Sequence, residues 1–259
     1  MLIDVSDVKT IPIEIEDIII NSFRTLSFDV ENKIKNTEIQ YLNDVMCAIE
    51  DIYAPFGNVR FYDEMVSVFE KYDFVCFHST RMLSRKNVLE NGLLVNNWES
   101  YKDILKDVYE RVGYGKEKIQ KTLDIVNGEY KRKYLGDRED SQLYFYSNLS
   151  MLEGETAAYD QFCENIGGEL ARWSLKKQYP DLYQPLKELG ESFIVKFRLP
   201  FSRMASYQKD SIIYQFVLHY AGIYFWNKKF DIEFDGNTQC NIPPEDILDI
   251  IQYDKEIDY

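Results

Sequence analysis

The chain has 259 residues, 45% of them hydrophobic and 15% aromatic, and 44 acids against 30 bases give it a formal charge of −14 at pH 7. This length and apolar content suffice for a substantial core in one large domain, or in one domain with a helical extension, and they argue against disorder. The acidic field repels nucleic acid and anionic membranes unless a local basic patch overrides it, and it favours solubility or a basic partner.

Met1 to Asp7 carries acid instead of a basic leader, and no run of about 18 apolar residues follows, so the sequence predicts neither a signal peptide nor a membrane span. Residues 1–72 read as a mainly helical extension. Glu38 to Tyr53 places Ile39, Leu42, Val45, Met46 and Ile49 at three- and four-residue intervals, Phe61 to Tyr72 repeats the pattern, and Pro55 and Gly57 separate the two. A buried strand is expected over 73–78, ending in His78-Ser79-Thr80-Arg81. Ser84 then caps a short helix through Val88 and Leu89, ended by Asn91-Gly92, with Leu93-Leu94-Val95 as a second short strand.

Residues 98–133 are highly charged, with Ile104, Leu105, Val108 and Val112 and then Ile119, Leu123 and Val126 at helical spacing. They read as a helical insertion of two helices parted at Gly113 to Gly115. A turn at Gly136 to Ser141 leads into a strand at Leu143-Tyr144-Phe145-Tyr146. A long helix is then predicted from Glu155 to Gln178, with Tyr159, Phe162, Ile166, Leu170 and Trp173 on one stripe. Gly167-Gly168 inside that helix costs on the order of 1 kcal/mol per glycine relative to alanine, so close approach of some group to the backbone is expected there.

Ser192 to Leu199 is a dense apolar strand closed by Pro200. Residues 208–226 stay open between helix and strand. Phe230 to Phe234, a turn at Asp235-Gly236-Asn237 and a run to Ile242 predict a closing hairpin, and Pro243-Pro244 starts a predicted terminal helix over Glu245 to Gln252. Cys47, Cys76, Cys163 and Cys240 stand far apart with no Cys-x-x-Cys pair. They read as reduced thiols of a cytosolic protein.

Four constellations carry candidate chemistry. Neutral His78 donates from one ring nitrogen and accepts on the other, which suits a ribose hydroxyl, although a satisfied core histidine shows the same pattern. Ser79 and Thr80 either bond an amide or cap a turn, and Arg81 either pairs a pyrophosphate bidentately or joins a surface ion pair. Tyr144, Tyr146 and Tyr159 offer rings for a flat heterocycle or simply fill an aromatic core. Glu169, after paired glycines, either stabilises a cation or pairs with Arg172 or Lys176 on its own helix. No phosphate loop, dinucleotide glycine fingerprint, nucleophile elbow or His-rich metal spacing occurs, which leaves zinc without a ligand set.

Taken in order, Phe77-His78-Ser79-Thr80, Val88-Leu89-Glu90-Asn91-Gly92-Leu93, Leu143-Tyr144-Phe145-Tyr146 and Ile242-Pro243-Pro244-Glu245-Asp246-Ile247 resemble the ADP-ribosyltransferase superfamily over about residues 73–252. The resemblance implies an α+β fold: a split β-sheet core over 73–259, with the helical N-terminal extension 1–72 and the helical insertion 98–133. It implies NAD as substrate, with His78 as the ribose and nicotinamide anchor, Ser79 or Thr80 as its partner, Tyr144 or Tyr146 as site aromatics and Tyr159 as a stacking ring.

Members often carry the catalytic acid a few residues before an Ile-Pro-Pro-like segment. Gln239 stands there in this chain, and Glu233 lies further back, so the acid's role falls to Glu169 or Glu233. Ser79 also adds bulk where members have glycine. The resemblance further implies transfer of ADP-ribose to a protein or nucleic acid by a cytoplasmic toxin or phage-defence effector, with an antitoxin as partner and no membrane. The alternative is a silent, acidic binding protein, antitoxin-like or a degenerate transferase fold, that engages a basic partner.

Overall fold

A computed structural model describes residues 1–23, 59–95, 97–134, 142–147, 149, 162–227 and 235–252. Within these the architecture is α+β, with eight helices and an open six-stranded sheet. The helices are α1 (Ile13–Phe23), α2 (Val59–Phe69), α3 (Arg85–Asn91), α4 (Trp98–Arg111), α5 (Lys116–Tyr134), α6 (Gly168–Leu175), α7 (Pro180–Glu188) and α8 (Ser206–Trp226). The strands are β1 (Leu2–Ile3), β2 (Asp73–Met82), β3 (Leu143–Tyr146), β4 (Glu191–Pro200), β5 (Asp235–Thr238) and β6 (Ile247–Gln252).

Strand order is β5-β3-β2-β4-β6, with β1 parallel to β2 through Leu2↔Asp73 and Ile3↔Phe74. β6 runs antiparallel to β4 from Phe193↔Gln252 to Phe197↔Ile247, and the register shifts between Lys196 and Phe197.

The chain forms two compact units, each assembled from separated stretches because β2 and β4 run through both. The first comprises Met1–Cys76, Tyr146–Asn148 and Arg198–Asn237. In it α1, α2 and α8 pack on one another around an aromatic centre: Phe69 lies 5.5 Å from Phe74, 5.3 Å from Phe201 and 5.2 Å from Phe216, between ring centroids. Tyr62 of α2 donates to Asp210, and Tyr72, between α2 and β2, donates to Glu14; burial and then the bond to Asp210 raise the Tyr62 pKa, and the bond to Glu14 raises that of Tyr72.

The second unit comprises Phe77–Phe145, Leu149–Phe197 and Thr238–Tyr259. It holds α4 to α7, whose shared core includes Leu105, Val108, Tyr109, Val126, Ala171, Leu175 and Leu186. α4 starts at a capping box in which the Asn97 side chain accepts from the Ser100 amide at 3.0 Å and the Ser100 hydroxyl accepts from the Asn97 amide. α5 ends on Lys131, Arg132 and Lys133, cations that suit the negative pole of a helix.

Several expectations hold in detail. The insertion is the pair α4 and α5, and Ser84 caps α3, which Gly92 ends at φ 73°. Cys76 and Cys163 are buried, Cys240 is half-buried, and Cys47 lies outside the described residues. The open stretch at 208–226 is helical, as α8.

Others are corrected. The predicted terminal helix is instead a single turn at Pro244–Asp246 followed by β6, because Ile247, Ile250 and Ile251 gain a β4 partner that an isolated segment lacks. Asp235-Gly236-Asn237 is strand β5, not a turn. Leu93 to Val95 supplies one bridge residue, Leu93, rather than a strand. The long helix predicted over 155–178 is broken: the described part leaves helical geometry at Glu164 and restarts at Gly168, with left-handed φ of 83° at Gly167 and 53° at Gly168. The glycines turn the chain there. The helix predicted at 38–53, the 136–141 turn and the 230–234 run lie outside the described residues.

Candidate functional site

β2 does not end at His78 but continues to Met82, and this reorganises the polar tetrad. Successive side chains of a strand face opposite ways. His78 and Thr80 therefore project from one face of β2, and Ser79 and Arg81 from the other.

The His78 ring is half-buried, and its Nδ1 lies 2.7 Å from the Tyr144 carbonyl of β3. A carbonyl can only accept, so Nδ1 carries the hydrogen and Nε2 keeps its lone pair. Packed protein around the ring disfavours imidazolium and lowers the pKa below the ordinary histidine value, while the Tyr144 carbonyl opposes this less strongly. His78 is thus held neutral, as one tautomer, and Nε2 has no hydrogen-bond partner among the described residues.

On the other face Ser79 is buried, at 4% exposure, and its hydroxyl has no hydrogen-bond partner among the described residues. Such a group costs about 1–3 kcal/mol unless something satisfies it. Arg81 is fully engaged by the turn that precedes β4: Nε donates to the Leu189 carbonyl at 2.8 Å, Nη2 to Gly190 at 2.9 Å and Nη1 to the Ser192 hydroxyl at 3.2 Å. No acid pairs with it among the described residues. Gly190 permits the turn, since its φ is 72° and a Cβ there would stand 2.5 Å from the Met82 carbonyl oxygen.

β3 alternates as its sequence suggests. Leu143 and Phe145 are buried, Tyr144 is 53% exposed, and Tyr146 is half-buried. Two distant segments also meet: Leu93 and Ile242 exchange backbone hydrogen bonds of 2.9 and 2.8 Å, and Asn241 accepts from the Val95 amide at 2.9 Å. Gly92 makes this possible, because a Cβ there would lie 1.9 Å from the Ile242 carbonyl oxygen. Gln239, just before this junction, is exposed. Tyr159 and Glu233 lie outside the described residues.

Glu169 stands in the first turn of α6 and forms an ion pair with Lys133 of α5, not with Arg172 or Lys176. Those two cations face Glu164 instead, with Lys176 at 2.7 Å and Arg172 at 4.0 Å. Among the described residues no hydrogen bond or ion pair joins Glu169 to His78. The group that approaches the glycine backbone is internal: the Tyr101 hydroxyl donates to the Gly167 carbonyl, and a Cβ on Gly167 would lie 2.6 Å from that oxygen.

The sequence reading passed over Glu164 and Asn165, both buried. The Asn165 amide donates to the Ile166 carbonyl at 2.8 Å and to Gly168 at 3.0 Å, and its oxygen accepts from the Tyr183 hydroxyl at 2.9 Å. Both residues fall within the expected helix, so only the broken geometry reveals them. Comparison with known proteins returns no matching family model, no matching curated protein and no matching solved structure.

Proposed function

We propose that this chain is an NAD-dependent ADP-ribosyltransferase with the split-sheet fold of that superfamily, transferring ADP-ribose to a protein or nucleic acid. The observation that carries the reading is the neutral His78, held with Nε2 as an open acceptor by the Tyr144 carbonyl. An acceptor fixed before a ligand arrives costs nothing to organise when a ribose hydroxyl binds. Support also comes from the junction of Gly92-Leu93 with Ile242-Pro243, which brings together two stretches that carry the sequence resemblance.

In this reading the nicotinamide–ribose bond breaks with its electron pair leaving on nicotinamide, a carboxylate stabilises the resulting oxocarbenium ion, and an acceptor nucleophile attacks the anomeric carbon. Thr80, which shares the face of β2 with His78, and the rings of Tyr144, Tyr146 and Tyr159 line the nucleotide, while Ser79 faces the other way. Glu233 is the favoured acid, because Glu169 is already neutralised by Lys133. A cytoplasmic toxin or defence role, restrained by an antitoxin, is part of the same proposal.

That ion pair also favours a second reading, in which the chain binds a nucleotide or a basic protein without turnover. The test is release of nicotinamide from NAD by the purified protein. Turnover lost in His78→Ala and Glu233→Gln but kept in Glu169→Gln is expected. Absence of turnover in the wild type, with acceptors supplied from a cell extract, selects the silent binder.

A further inference from the structure

Cations are unevenly spread over this acidic chain. Residues 129–134 and 164–177 hold six of them, Lys131, Arg132, Lys133, Arg172, Lys176 and Lys177, against three carboxylates, in a protein whose formal charge is −14. α5 packs on α6, and the Lys133–Glu169 ion pair joins them, so Lys133 stands on the side of α5 toward Trp173, whereas Lys131, two residues or about 200° of helical turn away, faces elsewhere. The carboxylates are engaged internally, Glu129 by Arg132, Glu169 by Lys133 and Glu164 by Lys176 and Arg172. Lys131 and Lys177 are exposed and have no acidic partner among the described residues.

An aromatic ring stands among these charges. Trp173 is 51% exposed, one helical turn before Lys177, with the Lys133 ammonium 5.2 Å from its ring centroid. Its neighbours Leu170, Ala171 and Leu175 are buried in the α4–α7 core, so α6 has an apolar face available and presents the indole elsewhere.

We propose that this α5–α6 surface binds single-stranded nucleic acid, with phosphates on Arg132, Lys176 and Lys177 and a base stacked on Trp173. Accessible cations beside an open ring match what an unpaired strand offers, because its bases are free to stack while its phosphates stay within reach of flexible lysines. A duplex keeps its bases paired, and an acidic peptide has no use for the indole. The overall negative field keeps binding modest and local. Two to three neutralised phosphates predict a slope of about −1.4 to −2.1 for log K against log salt.

The surface lies on elements other than the β2–β3 site, and binding is measured without NAD, so its failure and that of the transferase reading are separable. The experiment is fluorescence anisotropy of labelled mixed-sequence RNA and DNA strands of about 20 nucleotides with the full-length protein, across a salt series. We expect salt-sensitive binding that Trp173→Ala weakens at least about fivefold, Trp173→Phe largely retains, and Arg132→Glu with Lys177→Glu abolishes, each variant keeping the wild-type circular dichroism. The proposal is overturned if the wild type does not bind at low salt, or if these variants bind like wild type. Duplex DNA binding as tightly as the strand, or polyglutamate competing as well as polynucleotide, overturns it too.

Discussion

The helical cluster α4–α7 and the β2–β3 segment treat their polar groups in opposite ways. In the cluster, interior hydrogen bonds are closed: Tyr101 donates to Gly167, Tyr109 to the Leu182 carbonyl at 2.8 Å, Tyr114 to Asp181 at 2.9 Å and Tyr183 to Asn165 at 2.9 Å. In the β2–β3 segment His78 keeps an open acceptor and Ser79 a buried hydroxyl without a partner among the described residues. A closed network stabilises and specifies a fold, whereas an open valence on a rigid strand is a cost that a ligand can remove. The same residue types therefore read as scaffold in one place and as site in the other.

The comparison can be broken most forcefully at its joints. Gly92→Ala combines a left-handed φ with a clash against the Ile242 carbonyl, and we expect a loss of about 3 kcal/mol or more in urea unfolding. A loss under about 1 kcal/mol would mean that the Leu93–Ile242 junction is not held as described.

Within the closed network, Asn165→Ala removes the bonds of its amide to two carbonyls and of its oxygen to the Tyr183 hydroxyl, for an expected cost of about 2–3 kcal/mol. Ser79→Ala is the opposite case. Removing a hydroxyl that bonds none of the described residues should raise the unliganded protein's stability by about 1 kcal/mol, and a drop of that size would place a hidden partner on Ser79.

The smallest effect is a pH dependence. The unfolded chain binds a proton at His78 more readily than the native state does, so stability falls as pH drops through the ordinary histidine pKa toward the lower native value and is full above it. His78→Gln should flatten that part of the profile, as followed by denaturant midpoints at pH 7.5 and 5.5. An unchanged profile would mean that His78 is not shielded from solvent.

Local chemistry was legible wherever it acts over a few residues. The Ser84 cap, the Gly92 stop, the α4–α5 break at Gly113 and the alternation of β3 all follow from neighbours in sequence. The β6 segment was not legible, because Glu245 to Gln252 satisfies a helical reading until β4 offers it a ladder. At the break from Glu164 to Gly167 the glycine pair was a visible signal, but the group that approaches it, Tyr101, stands 66 positions earlier in the chain.

Of the candidate site, the sequence named His78 and Tyr144, but the contact between them is a side chain on a backbone carbonyl, which no residue pattern encodes. Arg81 and Glu169 offered a charge whose use depends on what lies nearby, and the fold brought Leu189, Gly190 and Ser192 to one and Lys133 to the other. Periodicity and residue type alone mark the paired helices over 98–133, the strands near 73–78, 143–146 and 192–199 and the short list of residues able to do chemistry. Tertiary structure decides which of them stay unsatisfied, because hydrogen bonds and ion pairs are settled by distance in space, and partners here stand 36 to 111 positions apart along the chain.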